Sequence, residues 1–207
     1  MEIKDFKKGL FQTSEVTLVG PLVKKFPKKI NHPFIYVDRG TNFRGNLRKM
    51  SKKGYFDISI GDGDSSNLPM DFLLPEEKDY SDLKFALDLI PPNVEKINLW
   101  GFLGGRRDHE IINFGEVNNR LLKSKNNVVF LFEKKVLAKS EGALTINIKG
   151  VFSLVVFQKT KIKLKGKCHY KLPKYKEISP LSSQGLSNLG DGEVTIEANG
   201  PFFLFLP

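Results

Sequence analysis

The sequence predicts an α/β fold in its N-terminal part followed by an all-β domain, and three observations point there. Short apolar runs at Glu15–Val19, Phe34–Val37 and Phe56–Ile60 each run into a glycine-containing loop, the pattern of an open parallel sheet. Stretches with helical spacing alternate with such runs. From about Asn127 that spacing disappears, and short β-type runs separated by turn residues take over. Together these place an open parallel α/β domain over residues 1–125 and a β-sandwich over 126–207, with Lys123–Asn126 as the linker.

In order along the chain, a charged leader, Met1–Lys8, precedes Glu15–Val19, which ends at Gly20-Pro21. Phe34–Val37 ends at Asp38-Arg39-Gly40, and Phe56–Ile60 at Gly61-Asp62-Gly63. Pro69–Leu74 reads as a short strand. The helix after it places Leu83, Ala86, Leu87 and Ile90 on one face and stops at Pro91-Pro92. Asp79 or Ser81 is its N-cap, and Asp82 falls in its first turn, where the helix dipole favours negative charge. Val94–Trp100 is a further strand, delivering the chain to Gly101–His109 and then to a helix with Ile111, Phe114, Asn118 and Leu121 along one face. The strands expected beyond it are Val128–Phe132, Leu144–Ile148, Val151–Phe157, Thr160–Lys165, Glu193–Ala198 and Phe202–Leu206, with Pro180–Asn188 a long polar loop.

A chain of 207 residues that is 40% hydrophobic has enough apolar material for a core without staples. Cys168 is alone, which excludes an intramolecular disulfide, and His32, His109 and His169 give no zinc-like spacing with it. A reduced, cytoplasmic protein is expected, with no membrane contact: the N-terminus lacks the apolar core of a signal peptide and no run has the length to cross a bilayer. The net charge of +10 favours phosphorylated ligands or an anionic surface. Lys161, Lys163, Lys165 and Lys167 alternate with Ile162, Leu164 and Gly166, which reads as a solvated strand face. A nucleic-acid groove asks in addition for interleaved aromatics, so no nucleic-acid partner is expected.

Chemistry concentrates in Gly61-Asp62-Gly63-Asp64-Ser65 and in the run Lys78–Asp82. In an extended segment Asp62 and Asp64 share a face, and Asp82 can join them from a helix start. Carboxylates so placed hold a hard cation such as Mg²⁺, whose shell substrate phosphates and water complete. The same residues also read as a polar turn and a helix cap. Gly104-Gly105, between a strand and a helix, presents backbone N–H groups to phosphate, with Arg106 and Arg107 as fixed cations; a tight turn and surface charge is the plainer reading. Neither a P-loop nor a dinucleotide fingerprint occurs in the chain.

Taken in order, Asp38-Arg39-Gly40-Thr41-Asn42, Ile60 to Ser65, Glu77 to Leu83, Gly104 to His109 and Ser187-Asn188 resemble the motifs of thiamine pyrophosphokinase, over nearly the whole chain. The resemblance implies a Rossmann-like, ATP-binding domain followed by a thiamine-binding β-sandwich. It also implies a homodimer that transfers diphosphate from ATP to thiamine with Mg²⁺, releasing AMP. By position, Asp62, Asp64 and Asp82 would hold the metal. Arg106 and Asp108 would lie along the nucleotide and reacting phosphates, with Arg39, Gly104, Gly105 and Arg107 beside them. Asp38 would sit at the same centre, and Ser187 and Asn188 near the thiamine ring. The hydroxyl proton falls to Asp38 or Asp108.

Two positions depart from the family pattern. Arg39 and Thr41 stand in a motif that usually reads Asp-Gly-Gly-Ala-Asn, and Gly63 stands where a bulky apolar residue is usual. They leave two alternatives beside the kinase: a diphosphokinase for another alcohol such as a pterin, or a catalytically silent relative that binds thiamine and nucleotide.

Overall fold

The computed structural model describes residues 2–25, 33–50, 56–124 and 127–207, apart from the side chain of Met50. The fold is mixed α/β and divides into two compact units, Met1–Glu116 and Val117–Pro207. Two residues of the expected linker, Lys125 and Asn126, lie outside the described residues.

The first unit is built on five strands among the described residues: β1 (Glu15–Val19), β2 (Phe34–Val37), β3 (Asp57–Gly61), β4 (Phe72–Leu73) and β5 (Lys96–Trp100). They are parallel, in the order β5-β1-β2-β3-β4. Every residue of β2 and β3 is buried, as is all of β1 beyond Glu15, which explains why these strands read as unbroken apolar runs rather than alternating ones. Only β5 alternates.

The leader is itself a helix, α1 (Ile3–Leu10). Its apolar face is one turn long, Phe6 and Leu10, both fully buried, with Phe6 stacked on Phe56 at 4.8 Å between ring centroids. A 3₁₀ helix, Asp38–Phe43, and α2 (Arg44–Met50) follow β2. Arg44 and Arg48 reach from α2 to the first residue of β3. Arg44 Nη2 lies 2.6 Å from Asp57 Oδ1 and 2.7 Å from Asp71 Oδ2, and Arg48 Nη2 lies 2.7 Å from Asp57 Oδ1. The Asp57 side chain is 2% exposed, so both arginines are needed to compensate it.

Helix α3 (Asp82–Leu89) has the expected buried face, and its N-cap is Ser81, whose Oγ accepts the Lys84 N–H at 3.1 Å. Helix α4 (Arg107–Lys123) corrects the expected face by one position. Phe114, Val117, Asn118 and Leu121 are buried, whereas Ile111 is 59% exposed. Ile111, three residues before Phe114, shares the spacing of that stripe but lies in the second turn of the helix, where the side chain is left exposed.

Among the described residues, the second unit is an antiparallel succession, β10-β9-β11-β8-β12-β7-β6, of β6 (Val129–Phe132), β7 (Val136–Lys139), β8 (Gly142–Val155), β9 (Thr160–Cys168), β10 (Leu172–Ile178), β11 (Asn188–Ala198) and β12 (Phe202–Phe205). The sandwich expected from sequence corresponds here to one succession of strands rather than two separately bonded sheets. Strand β8 makes the continuity: Gly142–Phe152 pair with β11 and Ser153–Val155 with β12. The two runs expected at 144–148 and 151–157 are this one strand, which passes through Gly150 at φ +114° without stopping. A core of Ile148, Phe152, Ile162, Val194, Ile196 and Phe202 unites β8, β9, β11 and β12. The lysine face of β9 is solvated and ion-paired: Lys163 and Lys165 lie 3.5 and 3.4 Å from Glu197.

Candidate active site at the strand ends

The loops that leave the parallel strands converge on a cleft of about 450 Å³, within the range of small-molecule sites. Each strand with a long exit loop supplies part of it: Leu22 after β1, Asp38 after β2, Asp62 and Asp64 after β3, Phe102 and Gly104 after β5. Tyr80, Ser81, Asp82 and Leu83 close another side. An open α/β sheet places its ligand crevice beyond the carboxyl ends of its strands, and the shared crest expected for Asp38, Asp62 and Asp64 is found there.

Asp38, Asp62 and Asp64 each offer a carboxylate oxygen within 4.8 Å of the others. Their arrangement is fixed by the 3₁₀ helix. Asp38 adopts φ +53°, a left-handed conformation that aspartate tolerates better than most residues. Ser65 donates its hydroxyl to Asp38 Oδ1. Asn42 Oδ1 accepts Ser66 Oγ and the Asn67 N–H, both at 3.2 Å, tying the acidic loop to the same helix. Asp64 N–H in turn donates to Asp62 Oδ1 at 3.3 Å. Packing between strand ends is close: a Cβ on Gly61 would lie 3.0 Å from Asp38 Cα.

The carboxylates are electrostatically unequal. Burial pushes the Asp62 carboxyl up, but the Lys78 ammonium and the Asp64 N–H outweigh it and hold Asp62 below the usual range. Asp64 is raised, because the Asp62 carboxylate faces it. Burial raises Asp82 too, partly offset by Lys78. Lys78 lines the cleft and is a residue of the run Lys78–Asp82 to which the sequence assigned no role. Its Nζ lies 3.0 Å from Asp62 Oδ2 and 3.2 Å from Asp82 Oδ1. The signal was present in Glu76-Glu77-Lys78-Asp79-Tyr80-Ser81-Asp82, where one cation sits in an acidic run.

The remaining expected residues divide. Gly104 and Arg106 line the cleft, whereas Arg39, Gly105, Arg107, Asp108, Ser187 and Asn188 do not. Asp108 is tied to Arg106 Nη2 at 2.5 Å, and that guanidinium draws its carboxyl down to about 2. The Gly104 N–H, expected to face phosphate, donates to Glu110 Oε1 at 2.7 Å, so the glycine turn closes on its own helix. Ser187 is exposed, and its N–H donates to Ser153 Oγ at 3.1 Å. Asn188 is buried and clasps the turn between β9 and β10: Oδ1 accepts the Tyr170 N–H at 2.9 Å and Nδ2 donates to the Tyr170 carbonyl at 2.8 Å. In the second unit the polar loop, through Gln184 and Leu186, covers a separate small cavity of about 80 Å³ walled by Phe152, Leu154 and Ile162.

The residues at the crest fit a divalent cation. Carboxylate oxygens are hard donors, the Asp62–Asp64 repulsion is relieved by positive charge, and the cleft has room for phosphates to complete a shell. No helix among the described residues is long and apolar enough to cross a membrane.

A parallel α/β unit with an acidic cleft at its strand ends, followed by an antiparallel β unit, defines a class of folds. Within that class, the solved structures similar to this chain include thiamine pyrophosphokinases. The enzyme from Geobacillus thermodenitrificans aligns with a TM-score of 0.67 at 22% identity, over 93% of this chain and 97% of that one. The Bacillus subtilis enzyme aligns with a TM-score of 0.65 at 21% identity, over 93% and 98%. The Candida albicans enzyme gives 0.70 at 12%, over 95% and 89%. At these identities the likeness is one of fold. No protein-family model matches the sequence, and no curated protein does.

Proposed function

We propose that this chain is a thiamine pyrophosphokinase, which transfers the terminal diphosphate of Mg-ATP to the hydroxyl of thiamine and releases AMP. The observation that carries the reading is the grouping of Asp38, Asp62 and Asp64 within 4.8 Å in the cleft, in a fold shared with enzymes of that name. Asp62 and Asp64 would hold Mg²⁺, which when bound neutralises charge on the phosphate oxygens. The acceptor hydroxyl attacks the β-phosphorus in line and the bond to the α-phosphate breaks, so catalysis rests on positioning and charge. Asp38, beside the acidic pair, takes the hydroxyl proton; Asp108, with its carboxyl at about 2, is a poor base. Arg106, at the cleft wall, would lie along the phosphates.

The test is to mix the protein with thiamine, ATP and Mg²⁺ and follow AMP and thiamine diphosphate. Formation of both is expected, and Asp64→Asn should lower the rate at least about 100-fold, as loss of a charge-stabilising group does, without changing the unfolding curve. An unaltered rate in the folded variant defeats the assignment.

A further inference from the structure

We infer that Lys78 is a built-in cation of this site, which holds Asp62 and Asp82 together and restricts the acidic cleft to a single divalent ion. The inference rests on the reading of the cleft as a metal-nucleotide site. It departs from the expectation that Asp82 is itself a metal ligand.

Three oxygens surround the Lys78 ammonium: Asp62 Oδ2 at 3.0 Å, the Pro75 carbonyl at 3.0 Å and Asp82 Oδ1 at 3.2 Å. The lysine side chain is only 8% exposed, and those of Asp62 and Asp82 are 19% and 15% exposed. An ammonium with three donors suits three such acceptors. The contacts are of ammonium length, about an ångström longer than the roughly 2.0–2.1 Å at which Mg²⁺ holds oxygen. While the lysine holds Asp62 Oδ2 and Asp82 Oδ1, a metal cannot bridge those two oxygens. Asp62 is divided by this arrangement: Oδ2 faces the lysine, whereas Oδ1 faces the Asp64 backbone, on the side where Asp38 and Asp64 gather. The fixed charge therefore acts where a second metal would sit, and Asp82 belongs to it. At the start of α3 the Oδ1 atom of Asp82 is buried, with no aligned hydrogen bond and with Lys78 as its ion-pair neighbour.

The experiment counts Mn²⁺ ions bound per chain, by calorimetry and by the free-ion paramagnetic resonance signal, with a non-hydrolysable ATP analogue present. One ion is expected for the unaltered protein. Lys78→Met should admit a second ion. Asp82→Asn should keep the single ion with its affinity within about threefold, whereas Asp62→Asn should weaken it at least tenfold. One ion in both the parent and a folded Lys78→Met chain overturns the role of Lys78 and leaves the metal site standing. A tenfold loss in Asp82→Asn overturns it independently, should Lys78→Met fail to fold. No Mn²⁺ bound by the unaltered protein removes the metal-site reading, and this inference with it.

Discussion

Asp57 shows how much one buried carboxylate asks of its neighbours. Burial pushes its carboxyl up, but the hydrogen bonds and charges of Arg48 and Arg44 pull it below the ordinary value, and Asp71 is lowered by Arg44 in the same way. Groups that titrate lower when folded contribute stability in full above their unfolded value of about 3.9, and lose it as the pH falls through the lowered folded one. Urea unfolding between pH 6 and pH 2.5 should therefore show an acid-labile term. Arg44→Met should remove much of that term and cost about 3–5 kcal/mol at neutral pH, the usual effect of stranding a buried charge. Little of this was legible in advance, because Arg44, Arg48, Asp57 and Asp71 form no local pattern. Asp62 and Asp64 were legible, since alternation along an extended chain brings them together whatever else surrounds them. Gly63 between them takes φ +85°, so the glycine that departs from the family pattern suits a left-handed turn that a bulky residue would strain.

Where an element announces itself by periodicity, sequence and structure agree; where its signal is borne by a turn, they part. Helix α4 is a direct test of the corrected stripe. Leu121→Ala should cost about 2–5 kcal/mol in chemical unfolding, as core truncations do. Ile111→Ala should stay within about 0.5 kcal/mol, as surface changes do. Strand β7 was unexpected because its hairpin turns at Glu133 and Lys134, both at positive φ, without the glycine or asparagine that usually marks such a turn. Strand β10 carries Pro173 and is largely exposed, the properties of a protected sheet edge, which also make it read as a loop. The N-terminal end of β11, Asn188 to Gly192, was disguised by turn-forming residues paired in a regular ladder. Helix α1 was missed because two buried side chains are a short stripe.

At the scale of the molecule, two compact units with separate cores need not unfold as one. The acidic cleft lies wholly within the first. A ligand of the native cleft stabilises only what it binds, by about 2.7 kcal/mol at a concentration 100 times its Kd. Calorimetric scans with and without Mg²⁺ and a non-hydrolysable ATP analogue should raise the transition that disrupts residues 2–116. If the units melt separately, the transition of the β unit should stay in place; a shift of that transition alone would put the nucleotide elsewhere. The fold class was readable from strand exits and spacing, because those are local. The path of β8 was not, because its partners are chosen by register with strands far along the chain.

That path bears on synthesis. A ribosome releases β8 well before it makes β11 and β12, the two strands that pair with its sides. Until those strands are made, the 14-residue strand has no ladder on either edge. Residues 2–116 can already be folded, while the β unit waits for the last of its sequence. A nascent chain stalled short of Asn188 presents an open edge to its neighbours and to chaperones. The hazard of this protein lies in the order of its manufacture, at a strand remote in sequence from every residue of the cleft.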